Sequence, residues 1–302
     1  MMLFIILIGY AARKLKFMDA QFTKKLSDVT LCVCQPFMII SAIINIEYSG
    51  KKLKDGLTVL LICAIVHALS AVFAFLLTCR IKKVPTRRIC EFAMIFGNCG
   101  FFGFPVYKAV FGDIGTFYGS FYVIGFNIIA WSYGIFIMMK GNPDAKVSAK
   151  SIFLNFGTVS SVIGILLFVL QIRFPEPILS AFDRIGGLCT PLSLMIVGSL
   201  LSTIPLKKLF TDIGVYFVSG IKLIVIPFIV SLLLLLLRPL GISDDLIIFG
   251  SVASAMPVAS LTAMFGTKYN LEPDFAAHCA CFATVLSAAT IPLVSWFILA
   301  IR

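Results

Sequence analysis

The sequence predicts an all-α integral membrane protein of ten transmembrane helices, arranged as two inverted five-helix repeats with breaks in helices four and nine. Three observations predict it. The 302 residues are 60% apolar and only 13% charged, with a mean hydropathy of +1.05. A soluble domain of that size has nowhere to bury so much apolar surface, so its solvent is lipid. Basic residues gather in short connections between apolar runs, alternately rich and poor. Finally, the run from Ile89 to Phe111 is long enough to span a bilayer, yet Phe96-Gly97-Asn98-Cys99-Gly100-Phe101-Phe102-Gly103-Phe104-Pro105 interrupts it. Three glycines and a proline break a helix there. Hydrocarbon tolerates such a break only where protein covers it or a polar cavity receives it.

Taken in order, the apolar segments fall at 2–12, 28–46, 57–79, 90–112, 116–139, 152–171, 178–201, 212–237, 246–266 and 275–301. Segment one lacks a basic leader and runs into Arg13-Lys14-Leu15-Lys16, unlike a cleavable signal peptide. Crossing takes about 20 residues, so either this helix is unusually short or the sequence begins downstream of the true start. Segment two carries Gln35-Pro36, three carries His67, four the interrupted run and five Asn127. The polar stretch Lys140–Lys150 then separates the halves. Segment seven contains Thr190-Pro191, eight contains Lys222 and Pro227, nine Pro257, and ten Thr284, Ser287 and Pro292.

The connections after the odd-numbered segments hold 16 of the 25 Lys and Arg residues, among them Arg80, Lys82, Lys83, Lys140, Lys207, Lys208 and Lys268, against 8 on the opposite side. Such asymmetry marks the cytoplasmic face and places both termini outside the cytoplasm, in a plasma or inner membrane. It also explains the net charge of +11 without a nucleic-acid partner. Nine cysteines lie almost wholly within apolar runs, and the pairs Cys32/Cys34 and Cys279/Cys281 lack the spacing and partners of a metal or redox site. They read as small core residues. No cofactor is expected.

An internal repeat supports the count. The interval from Gly9 to Pro36 equals that from Gly164 to Pro191, and the interval from Pro36 to Pro105 nearly equals that from Pro191 to Pro257. The chain thus divides into halves 1–140 and 151–302, and an odd number of crossings inserts the second half upside down. Inverted repeats with matching broken helices are the layout of secondary transporters, with the site where the breaks meet. Against this stands the general abundance of proline and glycine in membrane helices.

Gly97-Asn98-Cys99-Gly100-Phe101-Phe102-Gly103-Phe104-Pro105 resembles the G-N-x-G-x-x-G-x-P signature of the auxin efflux carrier family. Pro191-Leu192-Ser193-Leu194 with Gly198, Lys268-Tyr269-Asn270, and Ala283-Thr284 through Ser287 to Pro292 match it further. The resemblance covers the chain from Leu7 onward and departs at the first helix, which is longer in the family. With no long loop between the halves, the chain is similar to the compact prokaryotic, malate-permease-like members rather than to many plant PIN carriers. The resemblance implies that helices four and nine cross, as in bile-acid/sodium symporters. Helices one, two, six and seven would form a scaffold that pairs as a homodimer, and helices three to five and eight to ten a mobile transport domain. It also implies small organic anions as substrates, including auxin and dicarboxylates such as malate and malonate.

The residues favour an anion independently. The second half of each broken helix is expected to start near Pro105 or Pro257, and helix N-termini offer free N–H groups and a positive dipole end to a carboxylate. Asn98, Ser254, Ser260 and Thr262 are candidate substrate contacts. The alternatives are an amide that caps broken backbone and hydroxyls that bond to their own helix. Gly100 and Gly103 would permit the break and a close helix approach. Asn127, Thr284 and Ser287 either face the crossing or hold helices together, while Gln35 and Thr190 would line the scaffold side. His67 follows Pro36 by the same interval as Lys222 follows Pro191, so the two are equivalent in the repeat. Lys222 is expected to snorkel toward the cytoplasm, the alternative being an anion-attracting charge. His67 and His278 are either hydrogen-bonded structural groups or proton couplers. The coupling ion, sodium or proton, is left open.

These residues predict a secondary transporter of small organic anions that works by alternating access. The alternative is a membrane-embedded ligand sensor without flux. An enzyme is not expected, since no H-E-x-x-H or G-x-S-x-G motif occurs.

Overall fold

The computed structural model describes residues 2–100, 102–139, 156–202 and 212–300. The Lys140–Lys150 connection, the start of segment six, Lys207, Lys208 and Arg302 lie outside the described residues, as does the Lys268 side chain. The described chain is helical, with one isolated β-bridge between Gly97 and Val258. Six of its helices are long and apolar enough to cross a membrane, as expected of a multi-pass membrane protein.

The first helix, α1, spans Met2–Lys14, about 20 Å at 1.5 Å per residue. Helix α2 runs over Ala20–Ile44 and starts well before the predicted boundary at 28. The cause is local: Asp19 accepts the Phe22 amide at 2.6 Å and caps an amphipathic first stretch that hydropathy alone scores as a loop. Helix α3 spans Gly50–Thr78. The interrupted run gives α4, Val84–Ile95, and α5, Gly103–Phe111. Then come α6 (Asp113–Met139), α7 (Phe156–Val169), α8 (Glu176–Leu201) and α9 (Ile213–Leu235). Segment nine is likewise interrupted, giving α10 (Asp244–Ser254) and α11 (Ser260–Lys268) before α12 (Pro273–Ala300).

Two of the predicted prolines leave a visible mark. A proline has no N–H to give to the preceding turn and its ring crowds that turn's carbonyl. Widened π-type turns lie at Thr30–Cys34, ahead of Pro36, and at Ile221–Val225, ahead of Pro227, where they give the ring room; a third, Ala130–Gly134 within α6, precedes no proline.

The chain packs as two compact units of interleaved segments. One comprises Met1–Leu57, Gly100–Ile124 and Phe153–Pro205, the other Thr58–Cys99, Gly125–Ile152 and Leu206–Arg302. In the first, α1 lies directly on α8. Gly9 faces the Met195 carbonyl and Gly198 the Ile6 carbonyl, so that any Cβ would collide with backbone. Hydrocarbon supplies no hydrophobic drive between helices, and this close backbone approach is what draws them together. The Thr23 and Ser199 hydroxyls share a hydrogen bond of 2.8 Å between α2 and α8. In the second unit, Phe96 and Phe126 pack against His67, Phe92 lies on Phe96, and Phe265 joins them through Phe92. Ion pairs lie near helix ends, such as Lys83–Glu272 and Arg238–Asp244, where charges meet water.

Candidate functional site

Within the second unit, the backbone that follows α4 and the backbone between α10 and α11 satisfy each other. α4 ends as Phe96 turns to an extended conformation, with φ −96° and ψ 113°. From there the Asn98 amide donates to the Pro257 carbonyl at 2.6 Å, and the Ala259 amide donates to the Phe96 carbonyl at 2.9 Å. Gly97 sits opposite Val258 as an antiparallel pair. Backbone groups that would be orphaned in hydrocarbon are thereby paired without water. Gly97 is required for closeness and not for a positive φ. A Cβ there would stand 3.1 Å from the Met256 Cβ and carbonyl oxygen and 3.3 Å from the Lys222 ammonium.

Side chains close the same junction. Asn98, 7% exposed, donates from Nδ2 to the Ser260 hydroxyl at 3.0 Å. Ser260 is the first residue of α11 and is exposed. On the α10 side of the break, the Lys222 ammonium donates to the carbonyl of Ser254, the last residue of that helix, at 3.3 Å. Lys222 is 2% exposed, so it does not snorkel as the sequence suggests. It lies about ten residues, roughly 15 Å, into α9, and its stem is occupied in reaching the break.

The second half of each interrupted segment starts near its proline. α11 starts at Ser260, just beyond Pro257, whose carbonyl belongs to the paired backbone. α5 starts at Gly103 and holds Pro105 in its first turn, where no intrahelical N–H is needed.

The remaining candidates separate into groups. The Ser254, Thr284 and Ser287 hydroxyls donate to the Ser251, Ala280 and Thr284 carbonyls of their own helices, which is the structural alternative for each. The Thr262 hydroxyl is buried with no hydrogen-bond partner among the described residues. His67 Nδ1 donates to the Cys63 carbonyl at 2.8 Å, and its ring lies 5.6 Å from that of Phe96, which makes it a wall of the junction. Asn127 is buried in α6.

In the first unit, Gln35 is buried and its Nε2 lies 3.2 Å from where a Cβ on Gly100 would stand, while Gly103 faces the Tyr107 ring at 3.0 Å. Gly100 therefore leaves room for a side chain of α2, and Gly103 for a ring of its own helix α5. Thr190 is elsewhere, in a cavity of about 350 Å³ shared with Ser41, Asn45, Lys108, Asp113 and Asp183. Asp183 accepts a hydrogen bond from Ser41. It is absent from the predicted site residues, although a lone acid within an apolar segment is a readable signal. His278 lines an open pocket with Asp212, Glu272 and Asp274, whose lining includes none of the junction residues named above.

The sequence model of the membrane transport protein family matches residues 1–153 and 145–295. An uncharacterized transporter of Methanocaldococcus jannaschii is 25% identical over 312 residues, covering 98% of this chain and 96% of that protein. One of Methanothermobacter thermautotrophicus is 24% identical over 296 residues, covering 96% and 94%. The paired breaks thus occur in a chain that belongs to the membrane transport protein family, that of the auxin efflux carriers.

Proposed function

We propose that the protein is a secondary transporter of small organic anions, mono- or dicarboxylates, that binds the substrate carboxylate where the two broken segments meet. The observation that carries this reading is the mutual pairing of the breaks. It leaves the Asn98 amide, the exposed Ser260 hydroxyl and the first turn of α11 at one junction, beside a buried cation on α9. A helix N-terminus and uncharged donors suit a carboxylate, and the breaks have the character of a transporter site. The unpartnered Thr262 hydroxyl would serve as a further donor when substrate is bound.

In this reading the halves 1–140 and 151–302 are inverted repeats, helices one, two, six and seven form a scaffold that pairs as a homodimer, and the other six carry the site across a cell membrane with both termini outside. Asn98→Ala tests the site. Loss of a neutral hydrogen bond is worth about 1 kcal/mol, roughly fivefold in exchange rate. Wild-type rates for every carboxylate tested would show the assignment to be wrong.

A further inference from the structure

We propose that the Lys222 ammonium is the resident cation of the helix breaks, holding the carbonyl end of α10 where a coupling sodium ion would otherwise bind, so that the carrier works without sodium. The inference rests on the transporter reading above. It begins with the end of α10, where the last carbonyls of a helix have no intrahelical partner and carry the negative end of its dipole. Tight turns satisfy three of them. The Ala255 amide donates to the Ser251 and Val252 carbonyls and the Met256 amide to that of Ala253. The carbonyl of Ser254 is next, and the partner it receives is the Lys222 ammonium at 3.3 Å.

The same ammonium reaches the other break. It lies 3.3 Å from the position a Cβ would take on Gly97, whose backbone is bridged to Val258. One cation therefore bonds α10's end and fills the space beside the residue that pairs the two interrupted segments. A charge inside a membrane domain is retained only where it has work. Among the described residues, no carboxylate stands within ion-pair distance of Lys222, so an acid partner is not that work. In broken-helix transporters the unwound carbonyls and half-helix C-terminal ends are the groups that coordinate the coupling cation. Here a covalently attached cation occupies such an end. Lys222 itself lies in the π-type turn Ile221–Val225 ahead of Pro227.

The role is that of a positioning residue, and cation dependence separates it from plain packing. Melting of purified wild type, Lys222→Arg and Lys222→Gln is compared in sodium chloride and in choline chloride at equal ionic strength. The expected result is identical melting of wild type and Lys222→Arg in both salts. Lys222→Gln should melt lower in choline and recover in part in sodium, because the freed Ser254 carbonyl at the negative end of α10 accepts the small ion. In proteoliposomes, malate exchange by wild type should be equal in the two salts. A specific stabilisation of wild type by sodium, or a tenfold fall of its exchange in choline (about 1.4 kcal/mol), would overturn the proposal. So would a Lys222→Gln variant that melts like wild type in choline. Should Lys222→Gln not fold, the two lysine- and arginine-bearing proteins still decide the question. Absence of any carboxylate exchange by folded wild type would count against the transport reading instead, and the melting comparison would still judge the cation.

Discussion

Replacing Gly97 with valine tests the pairing of the breaks more sharply than any change to a polar side chain. A Cβ at this position already meets the Met256 Cβ and carbonyl oxygen at 3.1 Å and the Lys222 ammonium at 3.3 Å. Alanine therefore asks its neighbours to give by a few tenths of an ångström. The two further methyls of valine have no such room and must push the segments apart. Separation breaks the Asn98-to-Pro257 and Ala259-to-Phe96 backbone hydrogen bonds. Each is worth about 1 kcal/mol net where water can substitute and more where it cannot. Overpacking adds about 1–3 kcal/mol. The sum is at least ~3 kcal/mol, or ~6 °C of melting temperature at roughly 2 °C per kcal/mol for a chain of this size. Thermal denaturation of the purified protein in detergent measures it. A valine variant that melts within about 2 °C of wild type and still exchanges substrate would refute the claim that the breaks hold each other.

Gly198→Leu should separate α1 from α8, because any Cβ there faces the Ile6 carbonyl and stands 2.8 Å from the Tyr10 amide nitrogen. A loss of about 1–3 kcal/mol is expected in the same melting assay. Thr284→Val should leave both stability and exchange close to wild type, within about 0.5 kcal/mol, since its hydroxyl is spent on the Ala280 carbonyl of its own helix. A large loss of exchange in that variant would return Thr284 to the site.

Much of the helical layout is legible in the sequence because apolar runs and their basic borders report on lipid directly. The interruption at 96–105 and the matching proline at 257 announce where two helices break. Pairing is what the sequence hides. Nothing in a run of glycines says that Asn98 will donate to Pro257, since that depends on two segments far apart in the chain meeting in register. Lys222 departs from expectation for a related reason. Its distance from the cytoplasmic loop suggests snorkelling, whereas it lies in a π-type turn and bonds the Ser254 carbonyl, neither of which hydropathy registers. Thr284 and Ser254 illustrate the opposite case, in which a hydroxyl in an apolar helix has a carbonyl one turn back as its nearest acceptor. The early start of α2 follows from a single capping side chain, Asp19, and is readable in principle.

Counterflow in proteoliposomes tests the central claim most directly. Vesicles are loaded with unlabelled malate, or in parallel with indole-3-acetate, and entry of the labelled acid is followed. Concentrative entry of labelled carboxylate is predicted in vesicles that carry the protein and none in empty ones, with weaker entry in Asn98→Ala. Folded, oriented protein that binds either acid and yet exchanges neither would contradict the carrier mechanism and mark the junction as a sensor's pocket.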